Sequence, residues 1–311
     1  MRISLESAVT LLQKGHVVSI PTETVYGLAA WIHSPDAVQK VFSLKKRPAS
    51  NPLILHLAKV EQILHYVSSI PDDFFALAHQ FWPGPLTILL PVKAEMVPET
   101  VRAGLDMCAF RVPSHPLARE LLSEVFPLVA PSANLSGRPS STKPEHVELD
   151  FGSDFPVLDG ESSSLGVEST IIAFLERRWG IVRQGALSRE ELGCFLGYLP
   201  ALHDRPTEKP ICPGQLFRHY APKATLVLSS SAYDGFVPVV VGFSDREYPG
   251  AQRVFSLGSS LCADDAAFRL YDVLRLLDLN LVEKAWVDMR IPECGLWQTI
   301  RERLYRASCG S

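Results

Sequence analysis

Three cations in a row, Lys45, Lys46 and Arg47, open a loop that leads into an apolar run broken by one imidazole, His56. Between residues 37 and 60 the chain has five Lys or Arg and no Asp or Glu. Charge of one sign at that density is either a solvated face or the lining of an anion site. A charge-assisted bond to phosphate is about twice as strong as a neutral one, with Lys offering a point charge and Arg a planar fork. Three further stretches carry polar groups where strands should end. "PTETVYGLAA" (21–30) offers Thr24. "VAPSANLSGRPSST" (129–142) offers Ser132, Asn134 and Ser140 among small residues, with no acid between 125 and 144. "LGVESTIIAF" and "IVRQGALS" offer Ser169 and Arg183. Each alone is also an ordinary turn, cap or surface group.

Arg111 stands between Phe110 and Val112 in "CAFRVPSH". An unpaired charge on a central strand is very costly, so this arginine needs a partner. A substrate carboxylate is one such partner. His56 reads either as a satisfied core histidine or as a substrate contact. Two cation groups for phosphates and one buried arginine for a carboxylate, all at strand ends, describe a ligand cleft of an open α/β sheet.

The elements that must position these groups alternate between helix and strand. Helices are expected in "LESAVTLLQKG", stopped by Gly15, and in "SPDAVQKVFSLKKRP", with Ser34 as cap and Pro35 at the first position. "PDDFFALAHQFWPG" and "HPLARELLSEVF" are two more. "HVVSIPT", "NPLILHL", "LTILLPV", "CAFRVPS", "LVAPSA", "STIIAF" and "WGIVRQG" read as strands. Five prolines fall in residues 199–222, which read as an extended linker. Beyond it come strands at "ATLVLSSS", "VPVVVGF", "RVFSLG" and "EKAWVDM". Two helices, "DDAAFRLYDVLRLLDLN" and "GLWQTIRERLYRAS", complete a small α/β unit.

Composition excludes whole classes. Hydrophobic content is 47%, charged content 21% and formal net charge −4 over 311 residues. These values suit a globular chain of two domains and argue against a wholly basic nucleic-acid binder. Glu6 interrupts the N-terminal apolar stretch where a secretory signal needs continuity. No window reaches the roughly 18 apolar residues of a membrane helix, so no membrane partner is expected. Six scattered cysteines without a CxxC pair fit reduced thiols and a cytoplasmic protein. Nine histidines show no HExxH spacing, and no metal site is expected. GxxxxGK[ST], GxGxxG and GxSxG motifs are absent as well.

In order, "PTETVYGL", "KKRPASNPLILH", "FWPGPLTILL", "FRVPSHP", "VAPSANLSGRPS", "ESTII" and "VRQGA" resemble the motifs of the Sua5/YrdC/YciO family. "CPGQLFRHYAPKA" resembles the linker of its longer, two-domain branch. The resemblance implies a YrdC-like twisted, open mixed sheet with helices at 1–198. It also implies a linker at 199–222 that closes over the site, and a smaller C-terminal α/β, Rossmann-like Sua5 domain at 223–311. It implies synthesis of threonylcarbamoyl-AMP and pyrophosphate from L-threonine, bicarbonate or CO2, and ATP with Mg2+, for tRNA t6A37 biosynthesis. A downstream t6A transferase complex is the implied partner, with direct tRNA contact open.

Carried over residue by residue, Thr24, His56, Arg111, Ala130 and Ser169 hold threonine, with Arg111 on its carboxylate. Lys45 and Arg47 match the family's K-x-R pair on the ATP phosphates. Arg47, Asn51, Ser132, Ser140 and Arg183 hold the nucleotide, and Tyr220 closes over it. Lys46 stands where relatives often have glycine, and Cys212 where a small residue such as serine is expected. The competing expectation is a non-enzymatic module that binds double-stranded RNA or tRNA through a basic concave face. A carbamoyl transferase acting on another protein is a third.

Overall fold

The computed structural model describes residues 1–203, 212 and 219–309. Ten strands form one mixed sheet. In chain order they are β1 (Arg2–Ile3), β2 (Val18–Ile20), β3 (Gly27–Trp31), β4 (Ile54–His56), β5 (Leu86–Pro91), β6 (Met107–Arg111), β7 (Leu128–Val129), β8 (Val157–Leu158), β9 (Thr170–Leu175) and β10 (Arg178–Arg183). Across the sheet they run β1-β8-β2-β3-β7-β4-β6-β5-β9-β10. Strands β11 (Thr225–Ser229), β12 (Val239–Gly242), β13 (Arg253–Ser256) and β14 (Lys284–Asp288) make a second, all-parallel sheet in the order β11-β14-β12-β13.

Helices α1 (Leu5–Gln13), α2 (Pro35–Lys45), α3 (Phe74–Phe81), α4 (Glu99–Arg102), α5 (Pro116–Glu124), α6 (Pro144–Phe151) and α7 (Arg189–Leu196) belong to the first sheet's half of the chain. Helices α8 (Ala263–Leu279) and α9 (Leu296–Ser308) belong to the second.

The apolar runs become buried strands because both faces of the first sheet are covered. In β3, Leu28 and Ala30 join one core cluster while Ala29 joins another. In β4, Leu55 and Ile54 divide in the same way. Leu270, Leu274 and Leu277 of α8 are fully buried in a third cluster over the parallel sheet.

Most expected elements are found, and the differences have local causes. Ser34 makes no side-chain cap bond, although Pro35 does start α2. Strands β1 and β8 are two residues each, too short to leave a periodic pattern. Helix α6 follows directly on the small-residue stretch, with Pro144 at its first position. Helix α7 is set by a Ser188–Glu191 capping box. Of the expected linker, residues 204–211 and 213–218 lie outside the described residues.

Candidate active site

Pairing order brings distant polar residues together. Strands β4 and β6 are parallel neighbours, with His56 in register with Arg111. Strand β6 runs antiparallel to β5, and β5 is parallel to β9. The end of β6 therefore lies near the starts of β5 and β9, and β10 brings Arg183 back beside Ser169. Across β7, Gly27 bridges to Ser132. The result is a cleft whose polar lining includes Thr24, Arg47, His56, Arg111, Ser132, Ser169 and Arg183. Val25, Ile54, Ala130, Pro131, Glu168, His219 and Tyr220 complete it.

The cleft has two charged sides, each with its own carboxylate. On one side the Arg111 guanidinium donates to Glu23 Oε1 at 2.7 Å, Thr24 Oγ1 at 2.9 Å and the Gly84 carbonyl at 3.2 Å. Arg111 thus already has a protein partner, Glu23, which the sequence reading did not supply. Burial pulls the Glu23 pKa upward, but the guanidinium wins and holds it below the usual carboxylate range.

His56 lies beside this pair, buried, with Nδ1 meeting no hydrogen-bond partner among the described residues. Burial, then Arg111, pushes its pKa down to about 3, so the ring is neutral at pH 7.

On the other side, Arg183 donates to the Ser169 carbonyl at 2.7 Å and to Ser169 Oγ at 3.1 Å. Arg47 is held by Asn51 Oδ1 at 2.6 Å and by the Pro52 carbonyl at 2.7 Å. Burial of its head group, then repulsion from Arg183, lowers the Arg47 pKa to about 9. Two like charges brought together in a cleft are poised for an anion.

Glu168 lies between these arginines and the C-terminal helices. Its oxygens accept from Ser140 Oγ at 2.5 Å, Tyr271 Oη at 2.7 Å and Arg303 Nε at 3.0 Å. Burial alone would raise its pKa, yet Arg303 and Arg183 bring it to about 2.

The KKR run divides by direction. Lys45 is buried, and its Nζ donates to the carbonyls of Ser132 and of Asn134. Burial, then Arg47, lowers its pKa well below the usual value. Lys46, in the left-handed region at φ 52°, points outward and is exposed. Lys45, Asn51 and Ser140 stand one layer behind the lining rather than in it.

Tyr220 is fully buried, stacked on Tyr271 with ring centroids 5.4 Å apart and lying under the Arg303 guanidinium at 4.7 Å. Sequence reading missed Glu23, Glu168 and His219. The first two were visible as acids set among small or apolar residues, but a strand-end acid looks like any turn residue.

The His56 environment sets a pH dependence. Its folded pKa lies below the ordinary 6.5, so the unfolded chain takes up the proton first as pH falls. The stability at stake is complete above pH 6.5 and is lost as pH drops toward 3. At about 1.4 kcal/mol per pH unit, the loss is about 2 kcal/mol by pH 5. Urea unfolding at pH 7 and pH 5 should show His56→Gln losing that much less than the wild type. Equal losses would refute the assignment. His219, also near 3, acts with the same sign in both proteins and drops out of the difference.

A two-sheet α/β protein with a cleft at strand ends, one arginine–carboxylate pair on one side and two arginines on the other, has the architecture of a ligand-binding enzyme. Comparison with known proteins gives the family. The model described as "Telomere recombination", for the Sua5, YciO and YrdC proteins, matches residues 10–185. The model for the "Threonylcarbamoyl-AMP synthase, C-terminal domain" matches 187–309. The chain belongs to the Sua5/YrdC/YciO family, in its two-domain branch.

It is 36% identical to the threonylcarbamoyl-AMP synthase of Bacillus subtilis, covering 98% of this chain and 93% of that one. It is 37% identical to the enzyme of the same name from Pyrococcus abyssi, covering 97% and 93%. The crystal structure of P. abyssi Sua5 complexed with L-threonine superposes with a TM-score of 0.90 at 35% identity, covering 99% of this chain and 96% of that one.

Proposed function

We infer that the protein is a threonylcarbamoyl-AMP synthase that joins L-threonine, CO2 or bicarbonate, and ATP. The observation that carries this reading is the two-sided cleft, in a family whose relatives bear that name. Arg111, with Thr24, His56, Ala130 and Ser169, receives threonine, with the guanidinium fork on its carboxylate. Neutral His56 suits an uncharged hydrogen-bond role better than a second cation. Arg47 and Arg183, with Ser132, take the triphosphate, and Tyr220 bounds the cleft. Asn51 orients Arg47 from behind, and Ser140 acts through Glu168. Lys45 holds the Ser132–Asn134 backbone, and it reaches a phosphate only by leaving those carbonyls.

The threonine amine adds to CO2, forming an N–C bond and releasing one proton to water. A carbamate oxygen then attacks the α-phosphorus, and the bond to the β-phosphate oxygen breaks with its electron pair on pyrophosphate. Positioning and charge neutralisation supply the rate, and no covalent nucleophile is needed.

Mg2+ enters with ATP on phosphate oxygens and water. Among the described residues no cluster of three or more potential metal ligands occurs, and both Glu168 oxygens are already bonded. The lining therefore does not fit as a metal cage, and no step runs through a protein–metal bond. The product serves tRNA t6A formation in the cytoplasm through a downstream transferase. Among the described residues no helix is long and apolar enough to cross a membrane. Residues 1–198, 199–222 and 223–311 are the corresponding catalytic unit, linker and C-terminal unit.

The test is pyrophosphate release with ATP and Mg2+, with and without threonine and bicarbonate. Release should require both. Arg47→Ala should lower it about 100-fold or more, the scale of removing one preorganised charge-stabilising donor. Release that ignores threonine would overturn the reading.

A further inference from the structure

The nucleotide side of the cleft is built on contacts from the C-terminal helices. Arg303, fully buried on α9, donates to Glu168 and, at 2.7 Å, to the carbonyl of Gln184, next to Arg183. Thr299 Oγ1, one turn earlier, donates to the Gly185 carbonyl at 2.8 Å. Tyr271 of α8 donates to the same Glu168 oxygen as Arg303.

The backbones meet as closely. At Gly166, with φ +74°, a Cβ would fall 2.4 Å from the Ala267 carbonyl oxygen and 2.4 Å from Phe268 Cα. Only glycine lets the loop that carries Glu168 lie this close to α8. Val167 is correspondingly part of the C-terminal core cluster. The Arg111 side differs, for its polar partners Glu23, Thr24 and Gly84 all come from the first half of the chain.

We propose that Arg303 and Tyr271 are positioning residues through which the C-terminal domain shapes the nucleotide subsite. They hold Glu168, and through it Ser140 and the charge balance around Arg183. This rests on the reading of that side as the ATP site. Without the two donors, the Glu168 carboxylate is free to pair with Arg183 or Arg47 and to neutralise the charge that receives phosphate. The part of the threonine side formed by Arg111, Glu23 and Thr24 is left as it was. The C-terminal domain is then an integral wall of the site.

Tyr271→Phe removes one hydroxyl and keeps the ring stack on Tyr220. Arg303→Lys keeps the charge and loses the fork. Steady-state pyrophosphate release should show the KM for ATP rising about tenfold in Tyr271→Phe, the scale of one hydrogen bond to a charged group, with the KM for threonine unchanged. Arg303→Lys should exceed that rise. A loss of folded protein lowers kcat and leaves both KM values in place. That pattern, or wild-type KM for ATP in folded variants, overturns the proposal, as does an equal rise in both KM values.

If Arg303→Lys shows no cooperative unfolding, Tyr271→Phe alone decides. Should the wild type fail to turn over threonine, calorimetric ATP titration of wild type and Tyr271→Phe still reads the same ratio, so the activity and the positioning role fail separately.

Discussion

Arg111→Ala should lose both stability and threonine-dependent pyrophosphate release, and the two losses should separate. Arg111 and Glu23 form a buried pair, with side chains 5% and 8% exposed. Removing one partner of a buried pair leaves the other charge uncompensated, at about 3–5 kcal/mol. Among the described residues Arg111 is the one cation paired with Glu23, so its loss leaves that carboxylate buried without a counter-charge. Urea unfolding should therefore show a drop of that size at pH 7. The double variant Glu23→Gln/Arg111→Ala removes the stranded charge and should recover most of the stability.

Activity should not return with it. Arg111 also fixes the Thr24 hydroxyl, and it is the cation assigned to the threonine carboxylate. A folded double variant with wild-type KM for threonine would remove Arg111 from substrate binding and leave it as a structural partner of Glu23. Arg111→Lys should fall between, since a point charge can pair Glu23 but cannot also span Thr24 and the Gly84 carbonyl.

How much of this was legible in the sequence depends on what kind of information each feature needs. The strands of the cleft were readable because runs such as 53–57 and 86–90 are apolar at all but one position each. That Arg111 requires a partner was also readable, from cost alone. The identity of that partner was not, because Glu23 lies 88 residues away and meets Arg111 only through the strand order. The same limit applies to Glu168, whose partners Ser140, Tyr271 and Arg303 come from three separate segments.

Residues 45–47 show a different limit. A charge run has no periodicity that distinguishes an inward lysine from an outward one. Lys45 ends α2 on the helix's buried face and reaches the Ser132 and Asn134 carbonyls, while Lys46, left-handed just past the helix, is exposed. Ser34 stands at the N-cap of α2 without a side-chain cap bond, because propensity favours serine there without requiring the bond. The family resemblance supplied roles that no spacing could. The structure adds which of those residues face the cleft and which stand behind it.

A large effect on both subsites should come from Gly185→Ala. A methyl there would sit 2.3 Å from the Ser169 carbonyl carbon, 2.4 Å from the Glu168 carbonyl oxygen and 2.4 Å from the Thr170 amide nitrogen. All three are main-chain atoms at the start of β9, so no rotamer change relieves the overlap. The chain can respond only by separating residues 183–186 from 168–170. That movement stretches the Ala186 amide bond to the Glu168 carbonyl, 2.8 Å long, and the Arg183 bonds to Ser169. Thr299 and Arg303 resist it from the other side by holding the carbonyls of Gly185 and Gln184.

Overpacking of this kind costs about 1–3 kcal/mol, and a backbone collision belongs at or above the upper end. The displaced groups are Arg183 and Ser169, one from each side of the cleft, so the KM values for ATP and threonine should both rise, by about tenfold or more. That pattern differs from Tyr271→Phe, where only the ATP side moves. Gly185→Ala with wild-type kinetics and unfolding would mean that the approach of β10 to β9 is not what sets the spacing of the two subsites.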